Sequence, residues 1–152
     1  MARFERETTI GAPAEKVFEY VSDISRHGEW AGDRLEVEKT SEGPLGVGST
    51  FSCVGHQMGT HKGQIAVMEY EPGSRVVFET EDDTGRWRHT FIVNEAGGET
   101  GLTKAVETVK LSTMNTLMSP LLPLLVPRTL GADLRRIKAR LEGEATDDSN
   151  PP

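Results

Sequence analysis

Residues 113–143, TMNTLMSPLLPLLVPRTLGADLRRIKARLEG, decide the fold. Leu130, Leu134, Ile137 and Leu141 recur at helical spacing and form one apolar stripe. Asp133, Arg135, Arg136, Lys138 and Arg140 lie largely off that stripe. Gly143 reads as a stop signal. The first half is also apolar, with Met114, Met118 and Leu121 at helical spacing on one side, and carries Pro120, Pro123 and Pro127. An interior proline removes a backbone hydrogen bond and kinks the helix. The spacing therefore predicts one long helix from about 113 to 142, broken or kinked in its first half.

Upstream the chain reads mostly as strands. Glu99–Leu111 is the last and longest, preceded by Arg86–Asn94, Arg75–Glu81, His61–Glu71, Ser49–Met58 and Leu35–Thr40. Short breakers separate them, among them Pro72-Gly73, Asp82–Gly85 and Gly97-Gly98. Strands joined by such short turns pair as antiparallel neighbours. At the start, RFERETTI (3–10) alternates as a half-exposed strand and is expected at a sheet edge. Pro13 opens a short helix, Glu15 suits its first turn, and Ala14, Val17, Phe18 and Val21 make its apolar stripe. HGEWAGD (27–33) is a tight connection, with room for one more helical turn.

One long helix cannot cover both faces of such a sheet, but it can lie in the concave face of a strongly curved one. The expectation is an α+β chain: a curved antiparallel sheet of about six to seven strands around a long C-terminal helix. One or two short helices follow the first strand. Curvature leaves space between helix and sheet, where a ligand would sit. Residues 1–143 read as one domain and 144–152 as a disordered acidic tail.

The bulk composition narrows the function classes. The chain has 152 residues, 27% charged and 36% hydrophobic, which is globular rather than disordered. Net charge is −7, and four acids of residues 142–152 (Glu142, Glu144, Asp147, Asp148) contribute much of it. Nucleic-acid binding needs a clustered basic face, so no nucleic-acid partner is expected. Cys53 is the single cysteine, which rules out an intramolecular disulfide. MARFERETTI lacks a signal-peptide core, and the apolar run Leu117–Val126 is too short for the roughly 20 residues that span a bilayer. A cytoplasmic monomer or homodimer without a transmembrane segment is the reading.

The stretch I-x-A-P-A-E-K-V-F-E-Y-V-S-D-I-S-R-H-G-E-W (Ile10 to Trp30) is similar to the opening of the START-like, or SRPBCC, helix-grip proteins. It is nearest to their bacterial polyketide cyclase/dehydrase-like branch. Val47-Gly48 before a strand and Glu69-Tyr70-Glu71-Pro72 at a strand end match as well. So does the closing Asp133-Leu134-Arg135-Arg136-Ile137-Lys138 to Leu141-Glu142. The resemblance covers residues 3–142 and implies the helix-grip fold. Its members include lipid carriers, hormone receptors, polyketide cyclases and chaperone activators, so fold likeness alone does not choose a function.

Candidate site residues follow from strand parity. Trp87, His89, Phe91 and Val93 share one face of their strand, and Arg86, Arg88 and Thr90 the other, unless a bulge intervenes. The aromatic face should point inward, opposite Phe78 of the strand before. His89 is then an imidazole on an apolar face, suited to bond a ligand carbonyl or to act as general acid/base. Its bland alternative is a histidine bonded to a core hydroxyl. Glu107 falls on one of two mixed faces, Thr103-Ala105-Glu107-Val109 or Leu102-Lys104-Val106-Thr108, and its direction stays open.

The expected lining comprises Trp30, Phe51, Cys53, Met68, Phe78, Trp87, His89 and Phe91, facing Met114, Met118, Leu121 and Leu125 of the C-terminal segment. Methionines adapt to irregular shapes, as a pocket requires. Cys53, His56 and His61 do not match a zinc-finger spacing and have no evident fourth ligand, so no metal is expected. No dinucleotide, phosphate-loop, nucleophile-elbow or zinc-protease motif is present, and no cofactor is expected. The function expected is binding of a small hydrophobic molecule, lipid-like or polyketide-like. The alternative is a polyketide cyclase/dehydratase that uses His89 as acid/base.

Overall fold

The computed structural model describes residues 2–31, 35–56 and 59–149, the last six without their side chains. β1 (Arg3–Ile10) leads into α1 (Ala14–Ser22) and a 3-10 helix (Ile24–Glu29). Six strands follow: β2 (Leu35–Lys39), β3 (Thr50–Gly55), β4 (His61–Glu71), β5 (Arg75–Asp82), β6 (Gly85–Ala96) and β7 (Glu99–Leu111). The expected end of β3 at Met58 lies outside the described residues. The chain ends in α2 (Thr113–Leu117), a 3-10 turn (Ser119–Leu121) and α3 (Leu122–Ser149).

All seven strands form one antiparallel sheet in the order β1-β7-β6-β5-β4-β3-β2. Six are a meander, each strand beside its neighbour in sequence. β1 closes onto β7 and occupies the edge, as its alternating, half-exposed pattern predicts. α1 begins at Pro13, whose ψ of 144° is extended, and buries Val17, Phe18 and Val21. The 3-10 helix then presses on β2. A Cβ at Gly28 would collide with the Leu35 carbonyl oxygen, so only glycine allows this approach.

Two bulges bend the sheet. In β4 the register shifts between Val67 and Glu69, leaving Met68 as the extra residue. Between β6 and β7 it shifts beside Trp87, where Val109 is extra on β7. From Trp87 onward the pairing is regular, so Trp87, His89, Phe91 and Val93 do share the concave face. Across from them β7 presents Thr108, Val106, Lys104 and Leu102. Glu107 therefore points outward, where it pairs with Arg3 at 3.0 Å and Arg88 at 4.0 Å. Arg88 also grips Glu79 at 2.7 Å. The convex face thus carries a charged lattice, and its apolar Val77 is buried.

The predicted break in the C-terminal helix is real: α2 and a 3-10 turn containing Pro120 precede α3. Pro123 sits in the first turn of α3, where its missing N–H costs nothing, and Pro127 lies inside the helix. α3 runs on through Gly143, where the sequence predicts a stop. The side chains of the acidic tail, and residues 150–152 altogether, lie outside the described residues. Leu130, Leu134, Ile137 and Leu141 are each less than 5% exposed. Burying such a side chain stabilises the fold by about 1.5–3 kcal/mol. Asp133 departs from expectation. It belongs to the buried face, 5% exposed, for a reason that lies on β7.

Candidate functional site

The 3-10 helix after α1 plugs the middle of the concave face. His27 is 3% exposed, and its Nε2 donates to the Val21 carbonyl at 2.9 Å. A carbonyl only accepts, so that nitrogen carries the proton. The ring lies 5.2 Å from Phe78, 4.7 Å from Trp30 and 6.0 Å from Phe91. Trp30 meets Phe91 edge-on at 5.7 Å. Its indole N–H is buried with no hydrogen-bond partner among the described residues.

Lys104 lies beneath this aromatic plug. Its ammonium sits 4.4 Å from the centre of the Trp30 ring and 5.4 Å from that of Phe91. It donates to Asp133 Oδ2 at 2.9 Å, and both side chains are buried. Arg136 reaches Asp133 Oδ1 at 3.3 Å. Burial lowers the Lys104 pKa below the usual lysine range, and Asp133 works against that shift. This pair is the polar tie between β7 and α3, and it explains why Asp133 faces inward.

His89 stacks on Phe78 with ring centroids 4.9 Å apart and planes 8° from parallel. Its Nε2 lies 3.3 Å from Thr80 Oγ1. Desolvation pushes its pKa down to about 3, with Lys104 and His27 adding to the shift. Desolvation likewise takes His27 down to about 3. Yet His89 is half-buried rather than sealed, as is Trp87 two residues before it. The imidazole is thus part of the concave wall, stacked on Phe78, with some of its surface still open. At neutral pH it is uncharged, so it can accept or donate a hydrogen bond but does not act as an imidazolium acid.

The expected lining thus divides. Trp30, Phe78, His89 and Phe91 form one cluster, with Trp87 one pair further along β6. Cys53 is half-buried between Val37 and Gly63, and burial followed by the Asp82 charge raises its pKa, which favours the inert thiol. Met68 is 46% exposed at its bulge. Met114, Met118, Leu121 and Leu125 are exposed, together with Leu117 and Leu124. These six recur at i, i+3, i+4, i+7, i+10 and i+11 from Met114 and form an exposed apolar lip along the segment after β7. Phe51 is buried in the floor of a separate cleft beside α1, of about 900 Å³. His56 and His61 sit beside Glu36 and Asp83, and no group of residues fit to hold a metal occurs among the described residues.

Sequence parity missed three residues: His27, Lys104 and Asp133. Lys104 does share parity with Leu102 and Val106, but a lysine on a mixed strand reads as solvated. His27 lies in a segment without helical or strand period. Neither signal distinguishes burial until the elements meet.

A seven-stranded sheet gripping a C-terminal helix, with a short helical plug after the first strand, defines the helix-grip class. The family model described as polyketide cyclase / dehydrase and lipid transport matches residues 1–142, and the chain belongs to that family. No curated protein matches the sequence. Among solved structures, the chain is similar to the Zhui aromatase/cyclase from a Streptomyces species, with 16% identity and a TM-score of 0.79. That match covers 99% of each chain. The protein TTHA0849 from Thermus thermophilus shares 19% identity over 94% of this chain and 99% of its own, with a TM-score of 0.75. CV1439 from Chromobacterium violaceum shares 16% over 93% and 99%, with a TM-score of 0.72. At these identities the likeness is one of fold. No helix among the described residues is long and apolar enough to cross a membrane.

Proposed function

We propose that the chain binds a small hydrophobic molecule, lipid-like or polyketide-like, between the concave face of the sheet and the C-terminal segment. The observation that carries this reading is the lip. Met114, Leu117, Met118, Leu121, Leu124 and Leu125 are 42–78% exposed, while Trp87 and His89 on the concave wall are only half-buried. Six large apolar side chains left in water within residues 114–125 mark a surface that another apolar body covers. The family's description names both lipid transport and cyclase/dehydrase members, and a ligand of either kind suits these walls. Native mass spectrometry of the protein after incubation with fatty acids and aromatic polyketides tests it. One-to-one complexes are expected. Their absence across the panel, with the lip still exposed to solvent, would overturn the reading.

A second reading is favoured by His89 itself. Its imidazole is neutral and on the concave wall, and a cyclase or dehydratase acting on a polyketide-like chain needs a base; with a pKa near 3 in the free protein, His89 serves as one only when the bound substrate raises that value toward neutrality. Under this reading His89 takes a proton from a carbon next to a carbonyl while the walls hold the chain folded. His89→Ala should then lower turnover of a competent substrate by roughly 10²-fold or more, the span of general-base catalysis. Unchanged turnover would leave the chain as a binder alone.

A further inference from the structure

A ligand held between the sheet and the C-terminal segment reaches the lip from one side only. The start of α3 carries apolar side chains on the other side. At about 100° per residue, Leu124 and Leu125 project about 120° and 140° away from Leu130, where the buried stripe begins. They are 52% and 44% exposed. Arg128 and Arg135 stand about 160° and 140° from Leu130 and are exposed too. Leucine and arginine thus share the outer face of α3, the leucines in its first turn and the arginines after them.

The charge of this face runs against that of the whole chain. Residues 108–132 hold Lys110 and Arg128 and no acid, in a chain with 24 acids and a net charge of −7. Arg128 and Arg135 make no ion pair or hydrogen bond among the described residues. By contrast Arg136 and Arg140, on the same helix, pair with Asp133 and Glu29 at 3.3 Å each. The β5–β6 turn, where Asn115 of α2 donates to the Thr84 carbonyl, carries two acids that are already engaged. Asp82 Oδ1 accepts from the Thr84 amide at 2.8 Å, and Asp83 Oδ1 lies 2.6 Å from His61 Nδ1. Two guanidinium groups therefore stand beside exposed leucines with no carboxylate among the described residues to meet them.

We infer that the outer face of α3 at Leu124, Leu125, Arg128 and Arg135 docks on the surface of a bilayer that contains anionic lipid. The leucines enter the boundary between headgroups and acyl chains, and the guanidinium groups meet lipid phosphates. The helix lies on the bilayer rather than across it, and among the described residues no helix is long and apolar enough to span one. A second copy of the chain suits the face less well. An isologous contact would set this face against itself and leave the arginines without a carboxylate. The surface goes beyond the proposed ligand site and does not depend on it.

Flotation of the full chain with vesicles of phosphatidylcholine alone, and of phosphatidylcholine mixed with phosphatidylglycerol, tests this. Binding to the mixed vesicles should be roughly 30-fold tighter, the worth of two cations near an anionic surface. High salt should remove that preference. A chain of net charge −7 is otherwise repelled by such a surface. Arg128→Gln/Arg135→Gln should abolish most of the preference, and Leu124→Gln/Leu125→Gln should weaken binding to both kinds of vesicle. No binding to the mixed vesicles, equal binding to both kinds, or binding unchanged in either double variant would overturn the inference. So would a homodimer in light scattering that Leu124→Gln/Leu125→Gln abolishes, since a second copy would then cover the face. Arg128→Gln/Arg135→Gln should leave the one-to-one complexes seen by native mass spectrometry intact. Complexes without vesicle binding sink this surface alone, and vesicle binding without complexes upholds it while the ligand reading falls.

Discussion

The two halves of the C-terminal segment are both rich in leucine, and they end in opposite environments. From Leu130 to Leu141 every fourth or third residue is buried against the sheet and α1, and Ile137 is wholly sealed. From Met114 to Leu125 six large apolar residues face solvent. The difference lies in proline, not in hydrophobicity or spacing. A single stripe on an unbroken helix can bury all its apolar residues at once on one surface. The earlier segment has such a stripe too, at Met114, Leu117, Met118 and Leu121, but it is broken into α2, a 3-10 turn with Pro120 and the start of α3 with Pro123, so it does not lie along the sheet as one rod. What is left over becomes the lip, and in the proposed function the ligand covers it.

The most damaging way to test that contrast is to break the polar tie under the buried half. Asp133→Ala strands the Lys104 ammonium among Trp30 and Phe91, and removing one partner of a buried pair costs about 3–5 kcal/mol. Urea unfolding should show that loss, and Lys104→Met/Asp133→Leu together should recover most of it. If the single variant is silent, water or a neighbouring group already satisfies Lys104. Next in size, Ile137→Ala should cost about 2–5 kcal/mol by the same measurement.

Acid should act on the buried side as well. His27 and His89 have folded pKa values near 3, depressed by burial from about 6.5. The stability they contribute is therefore fully present above pH 6.5 and is lost as pH falls toward 3. Each histidine contributes a slope of about 1.4 kcal/mol per pH unit within that window. Unfolding free energies measured from pH 7 to 4 check this. His27→Phe, which keeps a ring in the plug but cannot bind a proton, should flatten the slope. The smallest stability effect is expected at the lip. Leu117, 78% exposed, changed to Gln should shift stability by less than about 0.5 kcal/mol. Leu117→Gln/Leu121→Gln should nevertheless reduce ligand retention in native mass spectrometry. A large stability loss there would mean that the lip is packed after all, and the contrast between the halves would fail.

Much of the frame was legible before the elements were assembled. The meander follows from short turns between alternating segments, the edge position of β1 from its half-exposed alternation, and the broken helix from its prolines. The inward set Trp87, His89, Phe91 and Val93 follows from period two, because the bulge at Arg86 and Trp87 lies outside it. The site was less legible. Met68 has the parity opposite to the buried Ile65 and Val67, so it points outward, and the bulge at that residue lets Tyr70 turn to the core side in its place. Phe51 has the parity expected of it but is packed into the core, 3% exposed, beneath the cleft beside α1. Asp133 reads as one more charged residue on a helix until Lys104 of β7 is set opposite it.

The order of elements, their pairing and the faces they turn inward are written locally, in turn chemistry and residue period. Which polar groups are buried together, and which apolar groups are left uncovered, is settled when the elements pack. Those outcomes depend on neighbours far apart in the chain. Lys104 and Asp133 lie 29 residues apart and meet at 2.9 Å. Met114, Leu117, Met118, Leu121, Leu124 and Leu125 stay exposed, although their side chains are as apolar as those that α3 buries.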